Sequence, residues 1–350
     1  MKAPLTQLVD AAVDGSARAR QTRAAARLMT LLESEPQRLP EVFAHLPLEA
    51  WPRPRLVLGI TGAPGSGKSS LVDALIAEYR RRDPEMRIGV LAVDPSSPFT
   101  GGAILGDRVR MMRHAEDPNT FIRSLASRGH LGGLSLGARG VMRVMGLIGC
   151  ELVIIETVGV GQSEVEVAGV ADQVMVVLAP EQGDSIQMLK AGLMEIGDLY
   201  VINKMDLPGA DRLRTALLGM LSFAGAPTMA EANHKSHQPD EERREVLMAS
   251  ANSGEGIAEL VDELDERTAG QAETWQSHRD EAVIAEVRDA VLEDARRRLL
   301  ASFTADEIAA DELRRILVGE LTVGNVSERL LEAALQTLRV PGTPDKTRVE

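Results

Sequence analysis

The sequence has few of the residues that disulfides, metal clusters and stacking surfaces require. It contains one cysteine, Cys150, so the chain cannot form an internal disulfide or a cysteine-based metal cluster. Aromatic residues make up 3%, too few for the aromatic platforms on which single-stranded nucleic acids stack. No apolar run approaches the roughly 18 residues of a membrane span, and Met1–Arg20 lacks the apolar core of a signal peptide. We therefore expect a protein of the reducing cytoplasm with no membrane partner.

Positive charge is also scarce. The 39 basic residues are outnumbered by 52 acidic ones, which gives a net charge of −13. Such a chain lacks the positive surface that nucleic acids or anionic lipids bind, so we expect no nucleic-acid partner, and any phosphate must be held by a local site. Lysine is rarer than arginine, and half of the six lysines lie in the motifs described below: Lys68, Lys190 and Lys204.

The pattern of apolar residues divides the 350-residue chain into three predicted parts. Residues 1–54 form an N-terminal helical arm, with a helix from about Ala17 to Leu32, and an extended, proline-rich linker. Residues 55–268 alternate between apolar runs of strand length and helical stretches, and residues 269–350 contain three helices. The strand runs are continuously apolar, as in a parallel sheet that is covered on both faces. We therefore predict a central α/β domain with a mostly parallel sheet.

The predicted elements of the two larger parts are as follows. The strands are Leu56–Thr61, Ile88–Val93, Leu152–Thr157, Val174–Leu178, Leu199–Asn203 and Val246–Ser250. The helices are Ser69–Arg82, Gly133–Ile148, Ser185–Ile196, Glu281–Leu300, Ala305–Val318 and Val326–Leu338.

The most specific motif is a glycine-rich loop between the first predicted strand and the following helix. It reads Gly62-Ala63-Pro64-Gly65-Ser66-Gly67-Lys68-Ser69, which fits G-x-x-x-x-G-K-[ST], and Ser70 follows it. Backbone N–H groups of such a loop surround phosphate oxygens, with help from the positive end of the helix. Lys68 would reach the β- and γ-phosphates and Ser69 would bind Mg²⁺. The loop therefore predicts a nucleoside triphosphate site.

A second motif predicts that the base is guanine. Asn203-Lys204-Met205-Asp206 follows a later strand, and the carboxylate of Asp206 can accept hydrogen bonds from N1–H and N2–H of guanine. Adenine has no such pair of donors, so the carboxylate would be left unpaired against it. Lys204 would pack its stem over the base. Ser250-Ala251, at the end of the last predicted strand, would place backbone N–H groups near the guanine oxygen.

Acidic residues end two further strands. Glu156 is placed to hold the shell of Mg²⁺, often through water, and Gly159 can donate its N–H group to a γ-phosphate. Asp94 ends another strand, and Asp107 lies in the glycine-rich stretch that follows. Both suit Mg²⁺ or a positioned water, but their spacing fits ordinary turn or helix-cap residues equally well.

Residues 179–190 follow a strand and open a predicted helix. Their spacing alone favours a capped helix start, with Asp184 or Ser185 as the cap, over a functional segment.

Taken together, the motifs resemble the MeaB/ArgK/MMAA family of G-protein chaperones for adenosylcobalamin-dependent acyl-CoA mutases. The resemblance covers roughly residues 15–340 and is carried by these segments: Gly59–Ser70, Val90–Met111, Arg128–Gly133, Glu156–Glu164 and Asn203–Asp206. It implies a P-loop NTPase fold of the SIMIBI type, related to the nickel- and cobalamin-metallochaperone GTPases. It also implies a shell around Mg²⁺ and GTP or GDP formed by Lys68, Ser69, Asp94, Asp107 and Glu156.

The resemblance further implies an extra switch that contacts the mutase. Asp184, Gln187 and Lys190 belong to it, and Lys190 joins Lys68 and Asp94 in partner-stimulated hydrolysis. The sequence departs from the family at Ser185, where an acidic residue is common, and at Ala191, where a second lysine is common. We expect slow intrinsic hydrolysis of GTP, stimulated by a mutase that carries the adenosylcobalamin. GTP would gate the loading of that cofactor or the removal of a damaged one. The C-terminal helices resemble the dimerisation region of the family and imply a homodimer.

Three other functions are weighed against this one. A metal-insertion GTPase of the same superfamily would need clustered cysteines or a histidine-rich tract, and the chain has one cysteine and six scattered histidines. A P-loop kinase would have no use for Asn203–Asp206. A binding module that never hydrolyses would leave bound GTP intact, so the products of a single turnover distinguish a GTPase, a kinase and a binding module.

Overall fold

A computed structural model describes the chain from residue 5 to residue 330 with gaps. The described residues are 5–35, 38–44, 46, 54–95, 114, 116–127, 136–157, 167–180, 194–224, 245–270 and short stretches between 284 and 330. The chain forms two units, Met1–Val283 and Ile284–Glu350. In the second unit, residues 284, 287–288, 291–292, 295, 314–316 and 324–330 are helical, in agreement with the helices predicted there. The boundaries of the three predicted parts stay a prediction.

The first unit is built around one sheet of seven described strands. These are β1 (Leu56–Gly62), β2 (Ile88–Pro95), β3 (Thr120–Ser127), β4 (Leu152–Thr157), β5 (Gln173–Leu178), β6 (Leu199–Ile202) and β7 (Glu245–Met248). Their order is β3-β2-β4-β1-β5-β6-β7, and every pair of neighbours is parallel. The predicted α/β fold with a parallel sheet is therefore confirmed.

Eight helices accompany the sheet in the described part of this unit. They are α1 (Leu5–Val13), α2 (Arg18–Ser34), α3 (Leu39–Phe43), α4 (Lys68–Arg82), α5 (Leu136–Leu147), α6 (Met194–Ile196), α7 (Ala210–Ala224) and α8 (Ile257–Gly270). Apolar residues of α4 and α8 form one buried cluster with one face of the sheet, and those of α2, α5 and α7 form another with the opposite face.

Strand β5 shows why the strand sequences are continuously apolar. Val174 and Val176 belong to the cluster with α5 and α7, whereas Met175 and Val177 belong to the cluster with α4 and α8. Because successive side chains of a strand point to opposite faces, a strand that is buried on both faces has few polar positions, and these lie at its ends.

Helix α2 packs closely on α5. A Cβ atom at Gly137 would lie 3.2 Å from Cα of Glu33, and one at Gly140 would lie 3.2 Å from Cβ of Leu32, so the two glycines allow the close approach. Arg123 of β3 donates a 2.7 Å hydrogen bond to Glu33. The N-terminal helices are thus joined both to α5 and to the sheet.

Two elements differ from the sequence prediction. Strand β3 was not predicted, although Thr120–Ser127 pairs along its length with β2 at the edge of the sheet. The segment contains Arg123 and two serines, so it lacks the continuous apolar run of the central strands. The extended linker is wrong over Leu39–Phe43, which forms helix α3. Pro40 lies in the first turn of this helix, where its missing N–H group costs no hydrogen bond.

The chain that enters β3 is fixed to α4 by an ion pair. Arg80 donates hydrogen bonds of 2.7 and 3.1 Å to the two carboxylate oxygens of Asp117, which also accepts bonds from the backbone of Asn119 and the hydroxyl of Thr120. Burial alone would raise the pKa of the Asp117 carboxyl, but these hydrogen bonds outweigh it and hold that pKa below its usual value. The ionised form is therefore the one that stabilises the fold.

We predict that Asp117→Asn lowers the free energy of unfolding at pH 7 by about 2 kcal/mol, since a charged hydrogen-bond partner of Arg80 is lost. A lowered pKa in the folded state stabilises the protein above the unfolded pKa of about 3.9, and this contribution is lost as the pH falls through the folded value. The difference between native protein and variant should therefore shrink to nothing in acid. Urea unfolding followed by circular dichroism at pH 7 and at lower pH measures both.

Asp265→Asn is the matched control for Asp117→Asn. Asp265 pairs with Arg55 at 2.9 Å, but both side chains are more than one third exposed, so we expect a loss below about 1 kcal/mol. An equal cost for the two substitutions, or a cost of Asp117→Asn that does not depend on pH, would contradict the assignment.

Candidate nucleotide-binding site

The glycine-rich loop connects the end of β1 to the start of α4 through backbone conformations that favour glycine. Gly62, Gly65 and Gly67 have φ angles of 137°, 78° and 87°. A Cβ atom at Gly62 would lie 2.1 Å from the carbonyl oxygen of Val177, so a side chain there would collide with β5. Gly67 is the N-cap of α4 and makes no side-chain cap, which leaves the helix N-terminus to a ligand. Such a loop can surround an anion with backbone N–H groups.

Lys68 and Ser66 are buried in this loop. The ammonium group of Lys68 donates hydrogen bonds of 2.8 and 3.0 Å to the carbonyl oxygens of Gly62 and Ala63, which holds it across the loop. The hydroxyl of Ser66 is buried and has no hydrogen-bond partner among the described residues. A buried polar atom without a partner is costly, so a phosphate oxygen at this hydroxyl would satisfy it. The loop therefore fits a phosphate group.

Ser69 and Glu156 form a buried pair of oxygen ligands. The hydroxyl of Ser69 donates a 2.6 Å hydrogen bond to Oε1 of Glu156, and the two residues are 7% and 1% exposed. Hydroxyl and carboxylate oxygens are the ligands that Mg²⁺ prefers, so this pair fits that ion. Asp94, the next-to-last residue of β2, has its backbone at the same edge of the sheet, since Ala92 lies opposite Glu156 in the register.

The amide of Asn203 connects the glycine-rich loop to the turn after β7. Its Nδ2 atom donates bonds of 2.9 and 3.3 Å to the carbonyl oxygens of Ser66 and Gly67, and its Oδ1 atom accepts one of 3.1 Å from the N–H group of Ala251. A Cβ atom at residue 67 would lie 2.4 Å from Nδ2, so glycine there is also needed for this contact. A single side chain thus fixes the distance between the two predicted halves of the nucleotide site.

Lys204 and Asp206 flank the other end of the site. Lys204 has a left-handed φ of 59°, unusual for a residue with a side chain, and its ammonium group donates a 2.9 Å bond to the carbonyl oxygen of Gly65. Asp206 is exposed, and its Oδ1 atom accepts a 2.6 Å bond from the hydroxyl of Ser250. That hydroxyl accepts a 3.3 Å bond from the N–H group of Ser253. The carboxylate of Asp206 is therefore oriented and still accessible to a base.

The structure brings most of the predicted site residues to one edge of the sheet. The described ones are Gly62, Ala63, Pro64, Gly65, Ser66, Gly67, Lys68, Ser69, Ser70, Glu156, Asn203, Lys204, Asp206, Ser250 and Ala251. Six predicted residues or segments lie outside the described residues: Asp107, Arg128–Gly133, Gly159, Asp184, Gln187 and Lys190. For Asp94 only the backbone is described. The roles of all these residues stay predictions.

Several contacts of the site were not predicted from the sequence. The motif placed Asn203 in the site but gave no sign that its amide joins two loops. Asp73 of α4 was not singled out at all, although it lies one helical turn after Ser69, and its carboxylate contacts His114. No local pattern in the sequence points to this contact.

The remaining observations on the described part of the chain concern metal groups, the cysteine and membrane helices. No group of three or more His, Cys, Asp or Glu side chains there could hold a metal. Burial raises the pKa of the Cys150 thiol to about 12, so this cysteine is protonated at neutral pH. No helix among the described residues is long and apolar enough to cross a membrane.

Comparisons with known proteins agree on one family. The family model described as "Methylmalonyl Co-A mutase-associated GTPase MeaB" matches residues 25–304. A putative GTPase of Pyrococcus horikoshii is 36% identical over 308 residues, which cover 88% of this chain and 89% of that protein. GTPase ArgK of Escherichia coli is 40% identical over 237 residues, 67% of this chain and 69% of that protein.

Two further relatives differ in coverage. A putative GTPase of Pyrococcus abyssi is 50% identical over 190 residues, but these cover 54% of this chain and 57% of that protein. Among solved structures, a protein named LAO/AO transport system kinase matches 96% of this chain and 99% of its own, with 27% identity and a TM-score of 0.64.

We predict that Asn203→Ala lowers the free energy of unfolding by roughly 2–3 kcal/mol, because a buried backbone group of Ser66 and half-buried ones of Gly67 and Ala251 lose their partner. Thermal unfolding of the protein without nucleotide measures the loss. Lys204→Ala is the control, since its bond to Gly65 is exposed and should contribute less than about 1 kcal/mol. If the two variants unfold at the same temperature, the amide of Asn203 does not hold the two loops together.

Proposed function

The chain belongs to the MeaB family of GTPases, and from this premise we propose that it hydrolyses GTP in the service of an adenosylcobalamin-dependent acyl-CoA mutase. The observation that carries the proposal is that one edge of the sheet combines a buried Lys68–Ser69–Glu156 phosphate site with the exposed carboxylate of Asp206. The first part suits a triphosphate and the second suits guanine.

The phosphate end of the site would stabilise the charge that develops during hydrolysis. The ammonium group of Lys68, now held by two carbonyl oxygens of the loop, would bind β- and γ-phosphate oxygens together with the N–H groups at the start of α4. Bound Mg²⁺ would neutralise phosphate charge, and Ser69 and Glu156 would hold it. Asp94 and Asp107 are proposed to complete that shell or orient the attacking water, and Gly159 to donate its N–H group to the γ-phosphate.

The base end of the site would select guanine. Ser250 orients the Asp206 carboxylate, whose accepting positions suit N1–H and N2–H of the base. The stem of Lys204, anchored at Gly65, would cover one face of the ring. Ala251, whose N–H group donates to Asn203, lies in the turn where the guanine oxygen is expected. The two loops that hold phosphate and base are joined by Asn203, so both ends would bind one nucleotide.

The partner proposal rests on the family. The matching family model is described as mutase-associated, which supports a chaperone role in loading adenosylcobalamin or removing a damaged cofactor. Asp184, Gln187 and Lys190 are proposed to contact the mutase and to stimulate a slow intrinsic rate. Ser185 and Ala191, the two positions where this segment departs from the family, are proposed to influence which mutase is the client. The candidates are methylmalonyl-, isobutyryl-, 2-hydroxyisobutyryl- and ethylmalonyl-CoA mutases.

A kinase is the second candidate, since the solved structure reported above has kinase in its name. The product of a single turnover separates the two functions: a GTPase releases inorganic phosphate, and a kinase transfers it to an acceptor. We expect phosphate release that is lost in Lys68→Ala and accelerated by one of the four mutases with bound adenosylcobalamin. A phosphorylated acceptor would contradict the GTPase. Phosphate release that none of the mutases accelerates, without a GTP-dependent complex, would contradict the chaperone role.

We predict that Asp206→Ala weakens GTP binding roughly 100-fold while ATP binding changes little, because two hydrogen bonds to a charged acceptor are lost only with guanine. Competition of GTP and ATP against a fluorescent guanine nucleotide measures the ratio. Asp211→Ala, an exposed substitution in the first turn of α7, is the control and should preserve the preference for GTP. If Asp206→Ala lowered the affinities for GTP and ATP equally, the role of Asp206 would be to stabilise the fold and not to recognise the base.

The proposed homodimer would use the second unit of the chain. Ile284, Val287, Val291 and Leu292 are 58–68% exposed and recur at the spacing of one helical face. Exposed apolar side chains grouped on one face are typical of surfaces that another protein covers.

We predict that Val291→Asp combined with Leu292→Asp weakens this dimer at least about 100-fold, since each carboxylate would lose its water at the interface. Sedimentation velocity over a range of protein concentrations gives the association state. Ser327→Asp, at an exposed helical position of the same unit, should leave it unchanged. A native chain that sediments as a monomer at every concentration would refute the dimer.

A further inference from the structure

Helix α2 carries a row of exposed arginines, although the chain as a whole is acidic. Arg20, Arg23 and Arg27 are exposed, and their intervals of three and four residues place them on one side of the helix. None of the three forms an ion pair with the residues that the structure describes. Glu33, the one acid of α2, is bound to Arg123. In a chain with a net charge of −13, these three arginines form a local positive surface, the basic face of α2.

Helix α8 carries a matching row of acids. Glu259, Asp262 and Glu266 are exposed and recur at the same intervals of three and four residues. Asp262 is paired with Arg82, but its side chain is still 69% exposed. Arg267, the one basic residue of α8, is buried and so does not offset the charge of this row at the surface. The three acids therefore form a negative surface, the acidic face of α8.

The two faces match in spacing as well as in charge. At a rise of about 1.5 Å per residue, each row of three charges is about 10 Å long. If the two helices lie side by side in the same direction, every arginine is opposite an acid. In the opposite direction only the middle pair is displaced, by one residue or about 1.5 Å, which the long side chains can cover. Three ion pairs therefore form in either direction.

The basic and acidic faces cannot meet within one molecule. The buried residues of α2 belong to the cluster on one face of the sheet, and those of α8 belong to the cluster on the opposite face. The sheet therefore separates the two helices, and both rows of charges lie on the exposed sides of their helices. A contact between the two faces needs two molecules, and a second copy of this chain supplies the matching face for each.

We propose that the basic face of α2 binds the acidic face of α8 in a second copy of this chain. Because the two faces differ, each copy keeps one face open, and the contact continues from molecule to molecule instead of closing as a pair. Exposed ion pairs are individually weak and are screened by salt, so the assembly is reversible and forms at high protein concentration and low ionic strength. It is separate from the proposed homodimer, which uses apolar side chains of the second unit, and it requires no nucleotide.

The average mass of the native chain at low and high salt tests whether the contact forms. Static light scattering over a range of protein concentrations in about 20 mM NaCl should show a mass that keeps rising beyond that of a dimer. In about 500 mM NaCl this rise should disappear, because the Debye length falls to about 4 Å. The proposed homodimer depends on apolar contacts and should persist at the higher salt. A mass that is the same at both salt concentrations would overturn the proposal.

Two charge-reversed variants test which faces are in contact. The first carries Arg20→Glu, Arg23→Glu and Arg27→Glu, and the second carries Glu259→Arg, Asp262→Arg and Glu266→Arg. Each variant has two faces of like charge, so each alone should need at least about tenfold more protein to assemble. The first substitution set makes the net charge of −13 more negative by six and the second makes it less negative by six. Overall repulsion between molecules therefore cannot explain a loss of assembly in both.

An equal mixture of the two variants restores every ion pair with its charges exchanged. The acidic α2 of the first variant then meets the basic α8 of the second, and the basic α2 of the second meets the acidic α8 of the first. We expect the mixture to assemble at a protein concentration within about threefold of the native one. Assembly of either variant alone at the native concentration, or a mixture that does not assemble, would overturn the proposal.

Arg212→Glu combined with Arg214→Glu is the control for reversing exposed arginines outside the two faces. Both residues are exposed on α7, and this variant should assemble within about threefold of the native concentration. A loss equal to that of the α2 variant would show that the basic face has no special part and would contradict the proposal. Circular dichroism and the binding of a fluorescent guanine nucleotide should stay native in every variant, because all substituted side chains are exposed.

Discussion

The amide of Asn203 is the contact on which the geometry of the site depends. It binds two carbonyl oxygens of the glycine-rich loop and one N–H group of the turn after β7, so a single planar group sets the spacing between this loop and this turn. This contact explains the sequence around it. Gly67 must lack a side chain because Nδ2 occupies the space of a Cβ atom, and Asn203 must follow β6 directly so that its side chain reaches the loop.

The parallel sheet makes that contact possible. Since neighbouring strands run in the same direction, the ends of β1, β6 and β7 lie at one edge, and residues more than 130 positions apart in the sequence become neighbours. Burial of both faces stabilises the strands, so the edge is a rigid base for the loops.

The sequence predicted the strands with continuous apolar runs and the residues of the recognisable motifs. It missed the features that depend on contacts between distant segments. The continuous apolar runs predicted six strands and their parallel arrangement, because strands that are buried on both faces consist almost entirely of apolar residues. Strand β3 has a mixed sequence, and its assignment depends on pairing with β2, which no local pattern records. Likewise, the glycine-rich loop predicted Lys68 and Ser69, whereas the contact between Asp73 and His114 joins residues 41 apart that belong to no motif.

The order of the strands separates two tasks within one site. The predicted hydrolysis and partner segments follow β2, β4 and β5, which lie beside or near β1, whereas the residues predicted to bind the base follow β6 and β7 at one end of the sheet. The glycine-rich loop borders both groups and is held to the second by Asn203. A partner that rearranges the segments after β2, β4 or β5 can therefore change the rate of hydrolysis while the contacts to the base stay as they are. Under the proposed function, the identity of the nucleotide and the timing of its hydrolysis would therefore be set by different parts of the chain.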